Sequence, residues 1–201
     1  MAMQLTFSNM FQLFSAFSPL LLGFFLVMSS IFNQNIRGLV YLGGVLIACV
    51  LNLLLMNVIA SPSDPTRSPL CDLVQLPFGM NQYNSPALSS LFISFTLAYL
   101  VLPMMTKGTY NYSILVCLLG LLVIDTLAKV SNRCTSAVGS FLGTLTGLVM
   151  GSLWYALLHS SGNKSLLFFD EVSSNGLQCS RPSRQTFKCA VYKNGELVKN
   201  L

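Results

Sequence analysis

The sequence predicts an all-α polytopic membrane protein of about five transmembrane helices, followed by a small C-terminal β-hairpin tail. Three observations carry this. Only 8% of the 201 residues are charged and 53% are hydrophobic, whereas a soluble domain carries about 25% charged residues. Five apolar runs, separated by polar turns, approach or exceed the length that crosses a hydrocarbon core of about 30 Å at about 1.5 Å per residue. After residue 160 the long apolar runs stop, and six of the eleven Lys and Arg residues follow.

Taken in order, residues 1–10 mix polar and apolar side chains and either lie in the interface or extend the first helix. No Lys or Arg precedes the first apolar run, which therefore reads as a retained span and not a cleavable signal. Spans are expected at about 11–32, 39–60, 90–105, 113–130 and 138–158, so that 1–159 is a membrane bundle and 160–201 a soluble tail. Pro19 falls near the start of the first span, where proline is tolerated best. The second carries Gly43, Gly44, Asn52 and Asn57, and the third is short and closed by Pro103. The connection at 61–89 is the longest between spans and is broken throughout by Pro62, Pro65, Pro69, Pro77 and Pro86. Loops of this length are often functional or fold over the membrane surface. Within it, 73–78 is apolar enough to dip into the interface.

The fifth span carries Gly139, Gly143, Gly147 and Gly151, four residues apart. That spacing lays the glycines along one stripe of a helix, where a neighbour can approach at backbone distance. In lipid such approach is a main source of helix association. The stripe reads as a packing face around which the chain is organised, or alternatively as a pore lining.

In the tail, 166–169 is a brief apolar stretch expected at the membrane surface. Residues 186–192 are strand-like, Asn194-Gly195 marks a turn, and 196–198 can pair back. The tail has no dense basic run, so nucleic acid is not an expected partner. Anionic lipid headgroups or an acidic protein are.

Five spans place the termini on opposite sides. The loop at 61–89 and the turn at 131–137 then share one side, and the tail shares the other with Arg37 and Lys107. The tail side holds eight Lys and Arg and the loop side three, which places the tail in the cytosol. On the loop side Cys71 and Cys134 are a candidate disulfide; Cys179 and Cys189, both in the tail, are the competing pair. Cys49 and Cys117 lie within spans as small hydrophobes. With one histidine, His159, and no Cys-x-x-Cys, no metal site is expected. Nothing in the sequence implies a cofactor.

The polar residues gather at the loop-side ends of the spans. Asn57, Asp125 and Lys129 open on the side that also holds Arg67 and Arg133. An ionisable residue within a span suggests function, although Asp125 and Lys129 stand one helical turn apart and can simply pair. A small channel or transporter using Asn52, Asn57 and Asp125 is one reading that follows.

A glycine-spaced last helix after an Arg-containing turn, and a proline-rich loop leading through Asn84-Ser85-Pro86 into a short span, resemble the type 2 phosphatidic-acid phosphatase family. The resemblance covers roughly residues 60–158 and implies a helical membrane bundle that hydrolyses lipid phosphate esters. That family's motifs are a Lys with a downstream Arg-Pro, a Pro-Ser-Gly-His, and a Ser-Arg followed by His and Asp. Here Arg67 and Pro69 stand in part of the first, Ser85-Pro86-Ala87-Leu88 replaces the second, and Arg133 aligns in the third with no His or Asp after it. Without the nucleophilic and proton-relaying histidines the reaction cannot be assembled, so the resemblance implies a non-catalytic relative or a residual, lipid-head-group-binding one. The stretch 187–198 on a compact polytopic core is also similar to small membrane proteins of large DNA viruses. This second resemblance implies a structural protein of a virion's internal membrane, or of one derived from the endoplasmic reticulum, whose tail docks on a capsid-type protein layer. An oligomer is left open.

Overall fold

The computed structural model describes residues 7–72, 83–108, 110–162, 166–168, 190–193 and 196–200. Five helices are long and apolar enough to cross a membrane: α1 (Phe7–Phe32), α2 (Arg37–Ile59), α3 (Leu88–Lys107), α4 (Tyr112–Ser131) and α5 (Ala137–Ser160). Their limits lie within a few residues of those read from the apolar runs. A short 3-10 helix, Pro69–Asp72, interrupts the connection between α2 and α3. Two short segments, Ala190–Lys193 and Glu196–Asn200, pair antiparallel. The apolar loop stretch at 73–78 and both tail cysteines, Cys179 and Cys189, lie outside the described residues.

Both prolines inside helices sit differently from expectation. The third helix is not closed by Pro103 but continues through it to Lys107. Proline removes one N–H and crowds one carbonyl, and a packed membrane helix absorbs this where neighbours hold it in place; Pro103 is buried. Because α1 begins at Phe7, Pro19 falls in mid-helix. It cannot donate to the Ser15 carbonyl four residues back, and the Ser18 hydroxyl donates to that carbonyl instead, at 3.0 Å.

The helix ends are closed by backbone geometry. After α1, Asn35 N–H reaches Ser30 O and Gln34 N–H reaches Ile31 O, with Gln34 left-handed at φ 51°. After α4, Cys134 N–H reaches Lys129 O and Arg133 N–H reaches Val130 O, with Arg133 at φ 57°. Both are Schellman-type ends with a non-glycine residue in the position glycine usually takes. Asn111 and Ser136 cap α4 and α5 by accepting from Ile114 N–H and Gly139 N–H.

The glycine helix is not the centre of the bundle; α3 is. In its apolar window α3 is 67% buried, whereas no other span exceeds 33%. The reason lies in residue size. Glycines occupy one face of α5, and its other face exposes Val138, Phe141, Leu145, Val149, Leu153 and Leu157. Small residues on α3, such as Ser89, Ser90, Ser94 and Ala98, let helices close on it from several directions.

The α3–α5 contact is the most extensive between helices. A Cβ on Gly143 would strike the Ala87 carbonyl, and one on Gly147 the Ser94 hydroxyl and the Leu91 carbonyl. One on Gly151 would stand 2.6 Å from Phe95 O, and one on Gly139 3.1 Å from Asn84 O. The contacts rise together in both segments, so α3 and α5 run parallel: Gly139 lies over Asn84 ahead of α3, Gly143 over its cap residue Ala87, and Gly147 and Gly151 over Leu91 and Phe95, one turn apart within it.

Elsewhere the core is aromatic. Tyr41, Phe95 and Tyr99 lie with ring centroids 5.6–6.3 Å apart, and the Trp154 indole lies across Gly44, where a Cβ would come within 2.5 Å of Nε1. The chain after α5 does not rest on the membrane surface as expected. Leu167 and Phe168 are buried inside the bundle, Phe168 edge-on to Tyr99. Burying two large apolar side chains against protein satisfies them better than an interface that leaves them half wet.

Candidate polar site at the loop end

Asp125 is the focus of the loop end. It is fully buried, about 9 Å from the end of α4 at about 1.5 Å per residue. Its carboxylate accepts from Ser15 Oγ of α1 at 2.9 Å and from Ser89 Oγ of α3 at 2.6 Å. Lys129, one turn further along α4, approaches it at 3.5 Å and also donates to the Ser89 hydroxyl. Three helices therefore meet on one carboxylate. A buried charge persists only when paired and hydrogen-bonded, and this one is both. The arrangement also fixes the hydroxyl. An ammonium has only donors and a carboxylate only acceptors, so Ser89 accepts from Lys129 and gives its proton to Asp125.

The connections fold over this end. Cys71 and Cys134 form a disulfide with Cα atoms 5.4 Å apart and a sequence separation of 63, joining the α2–α3 connection to the α4–α5 turn. Gln12 Nε2 lies 3.5 Å from the Cys134 sulfur and 3.9 Å from that of Cys71, while Gln12 Oε1 accepts from Ser68 Oγ at 3.3 Å. Thr135 Oγ1 donates to Asn84 O at 2.6 Å, and Ala87 N–H to Gly139 O at 2.9 Å. Beneath the disulfide is a cavity of about 190 Å³, lined among others by Gln12, Ser15, Arg67, Ser89 and Lys129.

The residues expected to cluster divide. Asp125 and Lys129 are paired, and Arg67 lines the cavity with them. Arg133 is exposed and turned away, donating to Thr66 Oγ1 at 2.9 Å and standing 3.8 Å from Asp64. The Thr66 side-chain and backbone hydrogen bonds, then the Arg133 charge, hold the Asp64 carboxyl below its ordinary range. Asn57 does not join the cluster: it lies exposed, one position past buried Met56. A step of one residue turns a helical side chain by about 100°, which puts Asn57 on the outer face. The inward-facing asparagine is Asn52, fully buried, whose amide donates to Pro86 O at 3.3 Å. His159 stands at the opposite end of α5 against the ring of Tyr155. The four glycines lie buried on α3, not on an open channel wall. No group of three His, Cys, Asp or Glu capable of holding a metal ion occurs among the described residues.

Sequence reading missed Gln12, Ser15 and Ser89. Gln12, Ser15 and Ser18 are all buried on α1, and their spacing of three, in an otherwise apolar helix, is a legible polar stripe.

Comparison with known proteins gives no match: no family model fits the chain, and no curated protein sequence or solved structure is similar to it. The fold and site thus define a class and no family: a bundle of five membrane-spanning helices with a disulfide-bridged polar end.

Proposed function

We propose that this chain is a non-enzymatic structural protein of a membrane. It forms a braced bundle that presents its basic tail, with its short antiparallel pair, to a neighbouring protein layer. The observation that carries this reading is the closure of the Lys129–Ser89–Asp125–Ser15 network on itself. Of its two hydroxyls, Ser15 and Ser89, both give their protons to the Asp125 carboxylate, but the Ser89 oxygen accepts from the Lys129 ammonium, which takes up the lone pair that an attack would need. The glycine stripe, buried on α3, supports packing over conduction.

The disulfide adds a direction. Disulfides persist in oxidising compartments, so the loop end faces a lumen or exterior and the tail faces the cytosol. The expectation drawn from the sequence of 187–198 then makes this an internal virion membrane derived from the endoplasmic reticulum, with a capsid-type layer as the tail's partner.

The test is truncation after residue 175. The shortened chain should insert in membranes and keep its Cys71–Cys134 bond, while losing the proteins that co-purify with the full chain. An identical set of co-purifying proteins from both chains would sink the proposal.

A further inference from the structure

The cavity under the disulfide is amphipathic, and its two ends differ in a way that selects a ligand. At the polar end the Lys129 side chain is 22% exposed, while Asp125 behind it is at 0%. The ion pair therefore turns its positive end to the cavity. Further down, the wall is apolar, with Ala16, Pro19 and Leu20 from α1 and Phe92 from α3. Below Leu20 the two helices close: a Cβ on Gly23 would come within 2.8 Å of Phe92 Cζ. From Gln12 to Leu20 the wall runs about 12 Å at about 1.5 Å per residue. Leu20 is itself 51% exposed on the outer surface of α1, so the apolar end borders the lipid.

We propose that this cavity binds a single-chain, singly charged amphiphile, a fatty-acid carboxylate. Its head group meets the Lys129 ammonium, and its acyl chain leaves past Leu20 into the bilayer. Size and charge make the selection. Pockets that enclose drug-sized ligands run from about 300 Å³ upward, so about 190 Å³ takes a small head group and a few methylenes but not a two-chain lipid. Asp125 stands 3.5 Å from Lys129 Nζ and offsets much of its field. Arg67 lines the cavity too, but it has interactions of its own within the chain. A second negative charge on the ligand would thus face a buried carboxylate, and a neutral head group would forgo the charge-assisted hydrogen bond that the cavity-facing side of the ammonium offers. The monoanion is matched. The inference stands apart from the structural role above, since a scaffold can hold a lipid.

The test uses the full chain in phosphatidylcholine nanodiscs with a diazirine-bearing palmitate as photoprobe. Labelling should saturate and map to segments 16–20 and 88–92. Unlabelled oleate should compete at least about tenfold better than monoacylglycerol or a lysophosphatidate, a difference of one decade in affinity. Equal competition by either would overturn the charge selection, and labelling that never saturates or maps only to the outer faces of α4 and α5 would overturn the site. Ala16→Phe should fill the cavity and abolish labelling while the Cys71–Cys134 bond, read by non-reducing peptide mapping, persists. The paired variant Asp125→Asn/Lys129→Gln removes both charges together and should also lose labelling; full labelling in it would reject Lys129 as the anchor.

Discussion

Two regions of α3 are held by opposite means. Along its contact with α5 there is no charge and no covalent bond; glycines lie over carbonyls, and one hydroxyl pair, Thr106 with Tyr155 at 2.9 Å, joins the far end. At its N-terminal end the same helix is fixed by a carboxylate, a lysine, a set of hydroxyls and, through the connections above it, a disulfide. The difference follows the solvent. Deep in lipid there is no hydrophobic effect to press helices together, so close shape is what binds them. Near the interface, polar groups can be satisfied and loops can be tied. The first region should therefore respond to volume and ignore charge, and the second should do the reverse.

The largest effect should come from volume in the α3–α5 contact. Gly147→Leu would drive a side chain into the Leu91 carbonyl, where nothing can swing aside, and should exceed the 1–3 kcal/mol usual for overpacking a core. The same change at Gly120 or Gly43, which face open space, should leave thermal stability in detergent within about 0.5 kcal/mol of the parent. Similar melting points for the three variants would erase the comparison.

Next in size is charge at the loop end. Asp125→Ala strands Lys129 and two hydroxyls, and breaking a buried pair costs about 3–5 kcal/mol; the partial exposure of Lys129 puts this case near the lower figure. Asp125→Asn with Lys129→Gln should recover most of it. A double variant no better than Asp125→Ala, in the same melting assay, would show that shape and not charge governs this end too.

Removing the disulfide by Cys71→Ser and Cys134→Ser should be smaller again. A soluble loop of this span is worth about 4 kcal/mol in the chain-entropy description, and inserted helices already restrict the unfolded chain, so about 2 kcal/mol is expected. Protease sensitivity should rise at the loop end and stay constant along α5.

The smallest effect is acid sensitivity. Asp64 titrates below its unfolded value in the folded chain, so its contribution is fully present above about pH 4 and fades as pH falls through the lower folded value. Amide exchange in the segment around Thr66 should quicken there before that of α3 does. Asp64→Asn should remove the difference; an unchanged profile in that variant would exonerate Asp64.

The apolar runs made the five helices legible, because span length is set by the bilayer and not by partners. The glycine spacing announced a close contact but not its position in the bundle. Centrality depends on how many sides of a helix are narrow, and on α3 that information is dispersed over serines and alanines without a fixed period. At the loop end, Asp125, Lys129 and the two cysteines stood out as rare residue types at one level of the membrane. Asn57 was misplaced because depth was read and rotation was not, and in an apolar helix only a neighbouring contact such as Asn52 with Pro86 tells one face from another. Ser15 and Ser89 were passed over since single hydroxyls are ordinary in membrane helices.

Leu167 and Phe168 give the tail a mechanical setting. The chain leaves α5 through Gly162 at φ 77°, and Leu167 and Phe168 lie within the bundle a few residues later. Phe168 is then wedged edge-on against Tyr99, with Leu167 buried beside it. A pull on the tail must withdraw this cleat before it can unwind the last turn of α5. The load passes instead to α3, the helix that every other span grips, so the whole bundle shares a force applied at one end of the chain.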